Sequence, residues 1–572
     1  MNKIKVEIIM QNYTAVIIDT VSIQQYIFSS NKLKENIGAS YIIEHLLYNE
    51  AMIKCLEECR KENIFKKVFT AWDGDEQTNE VPKDIGVLTG DYDAEIAYIG
   101  GGNAMVFVKE EKLVTDIYSG EFKDTKTYHF IKKYSLLLLK FYPSLKVAFG
   151  VNTNFVLDET SFRKNKKGTV EQLAHNKSFF SPNVSPFKHG IVEDCPQSNE
   201  AQEIFNDATK QSISNASDVK MKMAEKSQQV LVTKEYYGDQ LLDKYIFTDQ
   251  IDRLGQPDEK GYVAIVHVDG NGIGKKFVDC ASLEDLRCLS KQVNEVSGRV
   301  MKRLIKHVVD IFDDNILTTE ENFTLKIYGK GKNEKVSKWY NRKILPIRPL
   351  ITAGDDFSFV CEGRLGVHLA EKLIAFINEE EIEFQDKKEK MSACAGVAIV
   401  KTHYPFYRAY QLAEELMKKA KKNAKTAEGN SWLGYMISSG GFAGDLNTII
   451  AQQYTTPKNN LLRMDAYRVD AAPGNLHQLK QNIKKISIGD KDNKPWPVNK
   501  LMGLRDVLKQ DEHQQKMFIA ETTARDLYLP KYNNTDIHET LWTRMKDEHF
   551  DRTPYYDIIE LKDFYPTQLL DK

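Results

Sequence analysis

Three aspartates stand where carboxylates can bind a divalent cation. Asp355 and Asp356 follow Gly354 in a tight turn between two apolar strands, and Asp269 ends another apolar strand. In a split β-α-β sheet the first strand lies beside the hairpin, so the three carboxylates can converge. Convergent carboxylates bind Mg²⁺ or Mn²⁺, and such an ion bridges nucleotide phosphates. The alternative is a pair of ordinary turn residues, because Gly-Asp-Asp is a common turn sequence.

A glycine-rich turn directly follows Asp269. Residues 270–276 read Gly-Asn-Gly-Ile-Gly-Lys-Lys, and N–H groups in a turn between a strand and a helix can bind phosphate. The candidate ligand-binding residues of this turn are Gly270, Asn271, Gly274 and Lys275. The spacing fits neither the Walker motif nor the dinucleotide fingerprint, so the glycines can instead mark a tight, flexible turn.

Lys421 lies near the end of a predicted helix over residues 406–425. From there its ammonium group can reach a triphosphate, and a solvated lysine at a helix end is the alternative. No nucleophilic triad can be recognised. None of the 12 histidines is directly followed by an aspartate, which excludes an HD-type phosphohydrolase motif.

The Gly-Asp-Asp turn has a counterpart earlier in the chain. Residues 99–108 read IGGGNAMVFV and residues 351–360 read ITAGDDFSFV, so Asn103 and Ala104 stand where the later copy has two aspartates. An Asn-Ala pair is a far poorer site for a hard cation. The pattern predicts two related domains, of which only the second is catalytic.

The repeat extends beyond the turn. Apolar strands end in Asp19 and Asp269, 84 and 86 positions before the corresponding turn residues. After each turn come a helical pattern and a strand that contains Gly-Val, at Gly150 and Gly396. The order β-α-β-β-α-β in each copy predicts two ferredoxin-like domains and an α+β fold.

Composition limits the class of protein. The chain has 572 residues and a net charge of −2, so its overall charge gives no information for or against a nucleic-acid partner, and only local patches can. Seven cysteines without a CxxC motif fit reduced cytosolic thiols better than a disulfide framework. We find neither a signal peptide nor an apolar run long enough to cross a membrane, and expect a soluble cytoplasmic protein with no membrane partner.

Changes in composition divide the chain into four parts. A long amphipathic helix is predicted over residues 38–60. The basic segment 326–343, with Trp339 and Tyr340, is either a solvated loop or a loop that contacts nucleic acid. The predicted domains are a degenerate first repeat (1–155), a linking helical subdomain (156–257), a catalytic second repeat (258–438) and a C-terminal helical domain (439–572).

Six segments of the chain carry a resemblance to one known family. They are residues 18–28 (IDTVSIQQYIF), 32–41 (KLKENIGASY), 268–275 (VDGNGIGK), 345–356 (LPIRPLITAGDD), 393–400 (ACAGVAIV) and 413–421 (AEELMKKAK). Together they resemble the large palm-domain subunit of type III CRISPR effector complexes, nearest its Cmr-type branch. The resemblance spans roughly residues 13–440 and extends more faintly to the C-terminal part.

The resemblance implies two palm domains, a linking subdomain and a helical C-terminal domain. It also implies that the second palm is a nucleotidyltransferase of antiviral defence, which converts ATP into cyclic oligoadenylate second messengers when the complex holds a target RNA. Some Cmr-type relatives instead join ATP to S-adenosylmethionine. The implied partners are guide RNA, target RNA and the other subunits of a ribonucleoprotein.

The resemblance assigns roles to individual residues as well. The implied metal ligands and catalytic acids are Asp269, Asp355 and Asp356. Lys421 would contact the triphosphate, and Gly354 would bring the backbone close to the nucleotide. Ala353 replaces the first glycine of the family's turn, a small change that an ordinary φ tolerates.

Other departures from the family limit what is implied. Asn271 replaces the family's second aspartate, which weakens a ligand role there. Only Cys195 remains of a plausible zinc site in the linking region, so we expect no structural zinc. We find no counterpart of the N-terminal HD nuclease domain of many members, and expect no DNA cleavage by this chain.

Two alternatives belong to other functional classes. A non-catalytic scaffold that only organises guide RNA and partner subunits would bind no nucleotide under any activating condition. A free-standing cyclase of the GGDEF type would be active without RNA. The acids of the second repeat argue against the scaffold, and the duplicated palm with its helical C-terminal part argues against the free-standing cyclase.

Overall fold

A computed structural model describes most of the chain. The described residues are 13–70, 92–100, 102–156, 159–179, 190, 192–207, 210–232, 245–254, 261–313, 343–426, 431–438, 444–469, 475–491, 494–532, 541–544 and 549–571. The basic segment 326–343 lies outside them except for its last residue, so its contact with nucleic acid stays a prediction.

The first palm is built on a sheet with the strand order β2-β3-β4-β1-β5. The elements are β1 (Tyr13–Thr20), α1 (Ile23–Phe28), α2 (Leu33–Tyr41), a π-helix (Ile42–Glu50), α3 (Ala51–Lys61), β2 (Val68–Phe69), β3 (Ala94–Gly100), β4 (Asn103–Lys109), a 3-10 helix (Glu121–Asp124), α4 (Lys126–Phe141) and β5 (Val147–Asn152). The central strand β1 is buried along nearly its whole length, which suits its β-branched run Val16-Ile17-Ile18.

The helix predicted over residues 38–60 is present but is not uniform. α2, the π-helix and α3 follow one another without a break, so the middle of the predicted α-helix is π-helical. Hydrophobic periodicity does not distinguish the two helix types. π-helical turns are rare and occur frequently at functional sites.

Two helices and a short hairpin link the palms. They are α5 (Glu159–Ser178), β6 (Ile204–Asn206), β7 (Gln211–Ile213) and α6 (Asn215–Val232), followed by β8 (Tyr245–Ile246) and a 3-10 helix (Ile251–Arg253). α5 covers the sheet of the first palm: a Cβ at Gly150 would lie 2.5 Å from the carbonyl oxygen of Thr169. Only glycine at that position allows the helix to approach so closely.

The second palm is built on a sheet with the order β11-β12-β9-β15-β16-β17. Its elements are β9 (Tyr262–Gly270), α7 (Ile273–Asp279), α8 (Leu283–Asp313), β10 (Lys343–Ile344), β11 (Ile347–Ala353), β12 (Asp356–Glu362), a 3-10 helix (Gly363–Leu365), α9 (Gly366–Asn378), β13 (Glu381–Phe384), β14 (Lys387–Lys390), β15 (Ala393–Lys401), α10 (Phe406–Thr426) and β16 (Trp432–Ser438). The helix predicted over residues 406–425 is confirmed as α10.

Helices cover both faces of the second sheet. A Cβ at Gly396 of β15 would lie 1.9 Å from the Ala413 carbonyl oxygen of α10, whereas its neighbour Val397 packs against Gly366 of α9. Successive strand residues point to opposite faces, so α9 and α10 lie on opposite sides. Gly396 occupies the place that Gly150 has in the first palm, where the helix after the last strand approaches the sheet.

The C-terminal part is mainly helical. Its elements are α11 (Leu446–Gln453), β17 (Tyr467–Arg468), α12 (Leu476–Ile488), α13 (Val498–Val507), α14 (Glu512–Thr523), β18 (Thr543–Arg544), β19 (Asp551–Arg552), α15 (Tyr555–Leu561) and a 3-10 helix (Thr567–Leu569). β17 pairs with β16 and so extends the second sheet.

The same strand order recurs in both palms. β3-β4-β1-β5 in the first palm corresponds to β11-β12-β9-β15 in the second, and in each the first strand lies beside the hairpin. The predicted pair of ferredoxin-like domains and the α+β class are confirmed. The exact domain boundaries stay predictions.

Candidate active site

The three predicted acids meet at one end of the second sheet. Asp269 and Asp356 are register partners on the adjacent strands β9 and β12. Asp355 lies in the turn before β12, and its carbonyl oxygen accepts a hydrogen bond of 3.0 Å from the Gly270 N–H. The sheet therefore places the three acids next to one another, as the sequence predicts.

Two glycines make this arrangement possible. Gly354 has a φ of +68°, a conformation that side chains disfavour. A Cβ at Gly270 would lie 2.8 Å from the Asp355 Cβ, so glycine leaves room for that aspartate. The Ser297 hydroxyl of α8 donates to the Gly354 carbonyl oxygen and so fixes the turn against α8.

Burial and the neighbouring carboxylates raise the pKa values of two of the three acids. Burial, and then the charges of Asp269 and Asp356, raise the pKa of Asp355 to about 7. Burial, and then the charge of Asp269, raise the pKa of Asp356 to about 8. Perturbed carboxyl groups of this kind gather at functional sites.

Lys421 of α10 contacts this acid cluster directly. Its ammonium nitrogen lies 2.5 Å from Asp269 Oδ2 and donates to the Gly270 carbonyl oxygen at 3.0 Å. The structure thus brings Lys421 to the predicted site, on the side of Asp269. Its contact with a triphosphate stays a prediction.

Two buried side chains near Asp356 were not expected from the sequence. His267 Nδ1 lies 3.0 Å from the Ser358 hydroxyl and 3.5 Å from Asp356 Oδ1, and the Tyr410 hydroxyl lies 3.3 Å from the same nitrogen. Burial lowers the pKa of His267 to about 4, so the ring is neutral and does not balance the acids. A single histidine within an apolar strand gives no signal of this role.

The carboxylates suit a hard divalent cation whose remaining ligands come from outside the acid cluster. Asp356 Oδ1 is buried and has no hydrogen-bond partner. Within the described ranges, no three His, Cys, Asp or Glu side chains are spaced as a metal site on their own. Mg²⁺ is commonly held by one or two carboxylates together with substrate phosphates, so these residues suit such an ion.

The glycine-rich turn after Asp269 is open to its surroundings. Gly272 has a φ of +77° and precedes α7. Among the described residues, no atom beyond the adjacent residues and the backbone of α7 lies within 4 Å of a Cβ built at Gly272 or Gly274. Lys275 is exposed. The Asn271 side-chain amide instead donates to the hydroxyl of Ser392, the residue before β15, at 3.1 Å. Phosphate binding by this turn stays a prediction.

A cleft of about 550 Å³ opens between the two palms. Small-molecule sites have volumes of roughly 300–1,000 Å³. The polar residues that line the cleft include Asp19, Glu44, Asn103 and Lys177 from the side of the first palm and Asp356, Tyr410 and Glu414 from the second palm. Of the three acids, Asp356 is the one whose side chain reaches this cleft.

The first palm keeps part of the same site. Lys177 Nζ of α5 lies 2.5 Å from Asp19 Oδ2, as Lys421 of α10 contacts Asp269. Burial raises the pKa of Asp19, and the hydrogen bond from Lys177 opposes this effect. Lys177 was not expected from the sequence. Its position could have indicated this contact, because Lys177 lies in the helix that follows the Gly-Val strand, as Lys421 does in the second palm.

The register of the sheets corrects the alignment of the two turns. Asn103 pairs with Asp19, as Asp356 pairs with Asp269. Asn103 therefore corresponds to Asp356, and Gly102 corresponds to Asp355, one position away from the match read in the sequence. A comparison of two sequence segments of equal length does not reveal such a shift, because only the strand pairing fixes the register.

The comparisons with known proteins agree with this geometry. Residues 262–428 match the family described as Cas10/Cmr2, second palm domain. No curated protein matches the chain by sequence. The apo Csm1-Csm4 cassette is 11% identical and superposes with a TM-score of 0.52, covering 97% of this chain and 69% of that chain.

Two further solved structures superpose less well. Csm1 of T. onnurineus is 12% identical with a TM-score of 0.46, covering 98% of this chain and 70% of that chain. The Csm1-Csm4 cassette in complex with cA3 is 11% identical with a TM-score of 0.48, covering 100% and 71%. The resemblance to the Cas10/Cmr2 palm family is confirmed over the second palm, whereas the Cmr-type branch stays a prediction.

In the part of the chain that is described, no helix has both the length and the apolar composition needed to cross a membrane.

Proposed function

We propose that this chain is the nucleotidyltransferase subunit of a type III CRISPR complex, and that its second palm converts ATP into a signalling nucleotide. The observation that carries the proposal is the pairing of Asp269 with Asp356 on adjacent central strands, with Asp355 packed against Gly270. This acid cluster lies inside the segment that matches the Cas10/Cmr2 second palm.

The reaction class follows from the donor set. A nucleophilic oxygen attacks the α-phosphorus of ATP, the bond from that phosphorus to the pyrophosphate oxygen breaks, and the nucleophile loses its proton to solvent. A bound Mg²⁺ or Mn²⁺ supplies charge neutralisation on the phosphates. Asp269 and Asp356, with Asp355 beside them, are the residues that would hold it.

Lys421 and the cleft have separate tasks in this proposal. Lys421 balances the charge of Asp269 and keeps that carboxylate in place through the Gly270 carbonyl contact. The cleft between the palms exposes Asp356 to a bound nucleotide, and Lys177 adds a positive charge on the opposite wall. The product is a cyclic oligoadenylate or an adenylate conjugate of S-adenosylmethionine, and the proposed partners are guide RNA, target RNA and other effector subunits.

The test uses the tagged full chain with the subunits that co-purify from its host. The complex is incubated with labelled ATP, Mg²⁺ or Mn²⁺ and matching target RNA, with and without S-adenosylmethionine. We expect a new product that disappears in the Asp355→Ala, Asp356→Ala double variant, whose folding is checked by circular dichroism.

Each other outcome overturns part of the proposal. No product from a preparation shown to contain guide RNA and partner subunits favours the scaffold. Product from the double variant removes the acids from catalysis. Product from the isolated chain without RNA favours a free-standing cyclase.

A further inference from the structure

The outer edge of β11 is covered by side chains of the first palm. β11 is the edge strand of the second sheet and pairs on its other side with β12. On its open edge, the Leu350 carbonyl oxygen accepts a hydrogen bond from the Ser40 hydroxyl. Two residues later, the Thr352 N–H donates to Glu44 Oε1 at 2.8 Å. These partners come from a segment more than 300 positions away.

The spacing of the two side chains matches the spacing of the strand. Ser40 lies in the last turn of α2 and Glu44 lies in the π-helix, four positions further on. Helix residues four positions apart are neighbours on one face, and backbone groups two residues apart on an antiparallel strand lie on the same edge, about 6.8 Å apart. The Ser40 hydroxyl and the Glu44 carboxylate therefore make hydrogen bonds of the kind that a neighbouring strand would make on this edge of β11.

Glu44 stands close to the acid cluster. Its side chain is 14% exposed, and it lines the same cleft as Asp356. Thr352 lies two residues before Gly354, and β11 ends at Ala353, the register partner of Asp356. A shift of β11 at Thr352 is thus passed directly to the turn that carries the aspartates.

The second palm makes a corresponding contact in the other direction. Arg287 and Ser290 of α8 donate to the carbonyl oxygens of Ala97 and Ile99 on β3, and a bulge interrupts β3 and β11 at the same place relative to their turns. Of these four contacts, only the one next to the catalytic turn has a carboxylate that accepts a hydrogen bond from a backbone N–H, that of Thr352. Burial raises the pKa of Glu44 to about 7, and the hydrogen bond from the Thr352 N–H opposes this rise.

We propose that Glu44 is a positioning residue of the second palm, whose carboxylate, together with Ser40, holds β11 and so fixes the turn of Asp355 and Asp356. The first palm then contributes to the reaction without providing catalytic acids. This inference deepens the proposed function and rests on it for its kinetic part. Its structural part stands independently, because it concerns the Thr352 hydrogen bond.

The test combines amide exchange with kinetics on the full chain. Glu44→Leu removes the acceptor, Glu44→Gln keeps an acceptor oxygen, and Glu50→Gln changes an exposed carboxylate of the same π-helix as the control. We expect Glu44→Leu to raise amide exchange in peptides covering residues 347–357 by about tenfold or more. In the assembled complex it should lower kcat with little change in KM for ATP. Glu44→Gln should restore most of both, and Glu50→Gln should change neither.

Several results would overturn the proposal. Unchanged exchange over residues 347–357 in Glu44→Leu shows that the carboxylate does not hold β11. Faster exchange with an unchanged kcat shows that the held strand does not matter for catalysis, and so does a change confined to KM. If Glu44→Leu does not fold, Ser40→Ala decides: we expect faster exchange of the same segment, and no increase rejects the inference.

Failure of the proposed function itself gives a different pattern. If the wild-type complex makes no product, the kinetic arm rejects the synthase. The exchange arm still decides whether Glu44 and Ser40 hold the strand, since it needs neither ATP nor RNA.

Discussion

In both palms an aspartate near the end of the first strand pairs with a lysine from the helix after the last strand. The pairs are Asp19 with Lys177 in the first palm and Asp269 with Lys421 in the second. Strand order, register and the bulge in the hairpin are also shared. The difference lies in the turn, where Gly102 and Asn103 replace Asp355 and Asp356.

A second difference accompanies it at the end of the first strand of each palm, which lies beside the turn. In the first palm the Thr20 N–H donates to the Gly102 carbonyl oxygen, and in the second the Gly270 N–H donates to the Asp355 carbonyl oxygen. In the first palm the larger residue, Thr20, is on the strand and the glycine is in the turn. In the second palm the glycine, Gly270, is on the strand and the larger residue is in the turn. In this chain the acidic turn is accompanied by a glycine on the neighbouring strand, and the first palm keeps the hydrogen bond between that strand and the turn.

The largest effect is expected at the buried ion pair that joins the palms. Arg287 and Glu95 are 1% and 0% exposed and lie 2.7 Å apart. Arg287→Ala leaves a buried carboxylate without this partner, which should lower the apparent free energy of unfolding by about 3–5 kcal/mol. Urea denaturation of the full chain measures this loss.

A matched double variant separates the charge from the contact. Arg287→Met with Glu95→Leu removes both charges and should recover most of the stability. If Arg287→Ala unfolds at the same urea concentration as the wild type, the palms are not joined through this pair.

The two lysines should affect different kinetic constants. Lys421→Ala removes the charge that balances Asp269 within the acid cluster, so kcat should fall by roughly a hundredfold. Lys177 lines the cleft from the silent palm, so Lys177→Ala should mainly raise KM for ATP. Steady-state rates of the assembled complex distinguish these outcomes, and an equal loss of kcat in both variants would contradict a catalytic difference between the palms.

Transplanting the first palm's residues into the second tests the exchange of bulky and small positions. Gly270→Thr should clash with Asp355 and cost roughly 1–3 kcal/mol. Adding Asp355→Gly recreates the pairing of Thr20 with Gly102 and should restore most of that loss. The four proteins of this double-mutant cycle are compared by urea unfolding. Strictly additive effects would show that the two positions are independent.

The smallest effect concerns the pH dependence of stability without metal. The folded-state pKa of Asp356 is raised to about 8, so its favourable contribution to stability is present at low pH and is lost as pH rises towards 8. Asp356→Asn lacks this loss. Because the Asp356 side chain is 38% exposed, solvent weakens the effect. With a chelator present, the variant should melt slightly above the wild type at pH 8, and the difference should vanish near pH 4. A difference that is constant with pH would exclude titration of this group as its cause.

The sequence was sufficient to predict the paired domains because their strands are strongly patterned. Strands ending in aspartate, a Gly-Val strand and the Gly-Asp-Asp turn each have a local physical reason, and the structure confirms their order. Lys421 could be found because it lies on a long, regular helix. These features depend on neighbouring residues along the chain.

What the sequence did not reveal depends on contacts between distant segments. Lys177 lies in a stretch predicted as a linker, and its partner Asp19 is 158 positions away. Glu44 meets Thr352 only because the palms pack together. The exact match between the two turns required the strand register, which the sequence strings do not contain.

A comparison of Asp356→Ala with Asn103→Ala tests most directly whether only the second palm is catalytic. The two positions are register equivalents, and both variants are assayed in the same purified complex with labelled ATP, metal and target RNA. A single catalytic palm predicts no product from Asp356→Ala and product close to the wild-type rate from Asn103→Ala. Product from Asp356→Ala, or its loss in Asn103→Ala, would contradict that assignment.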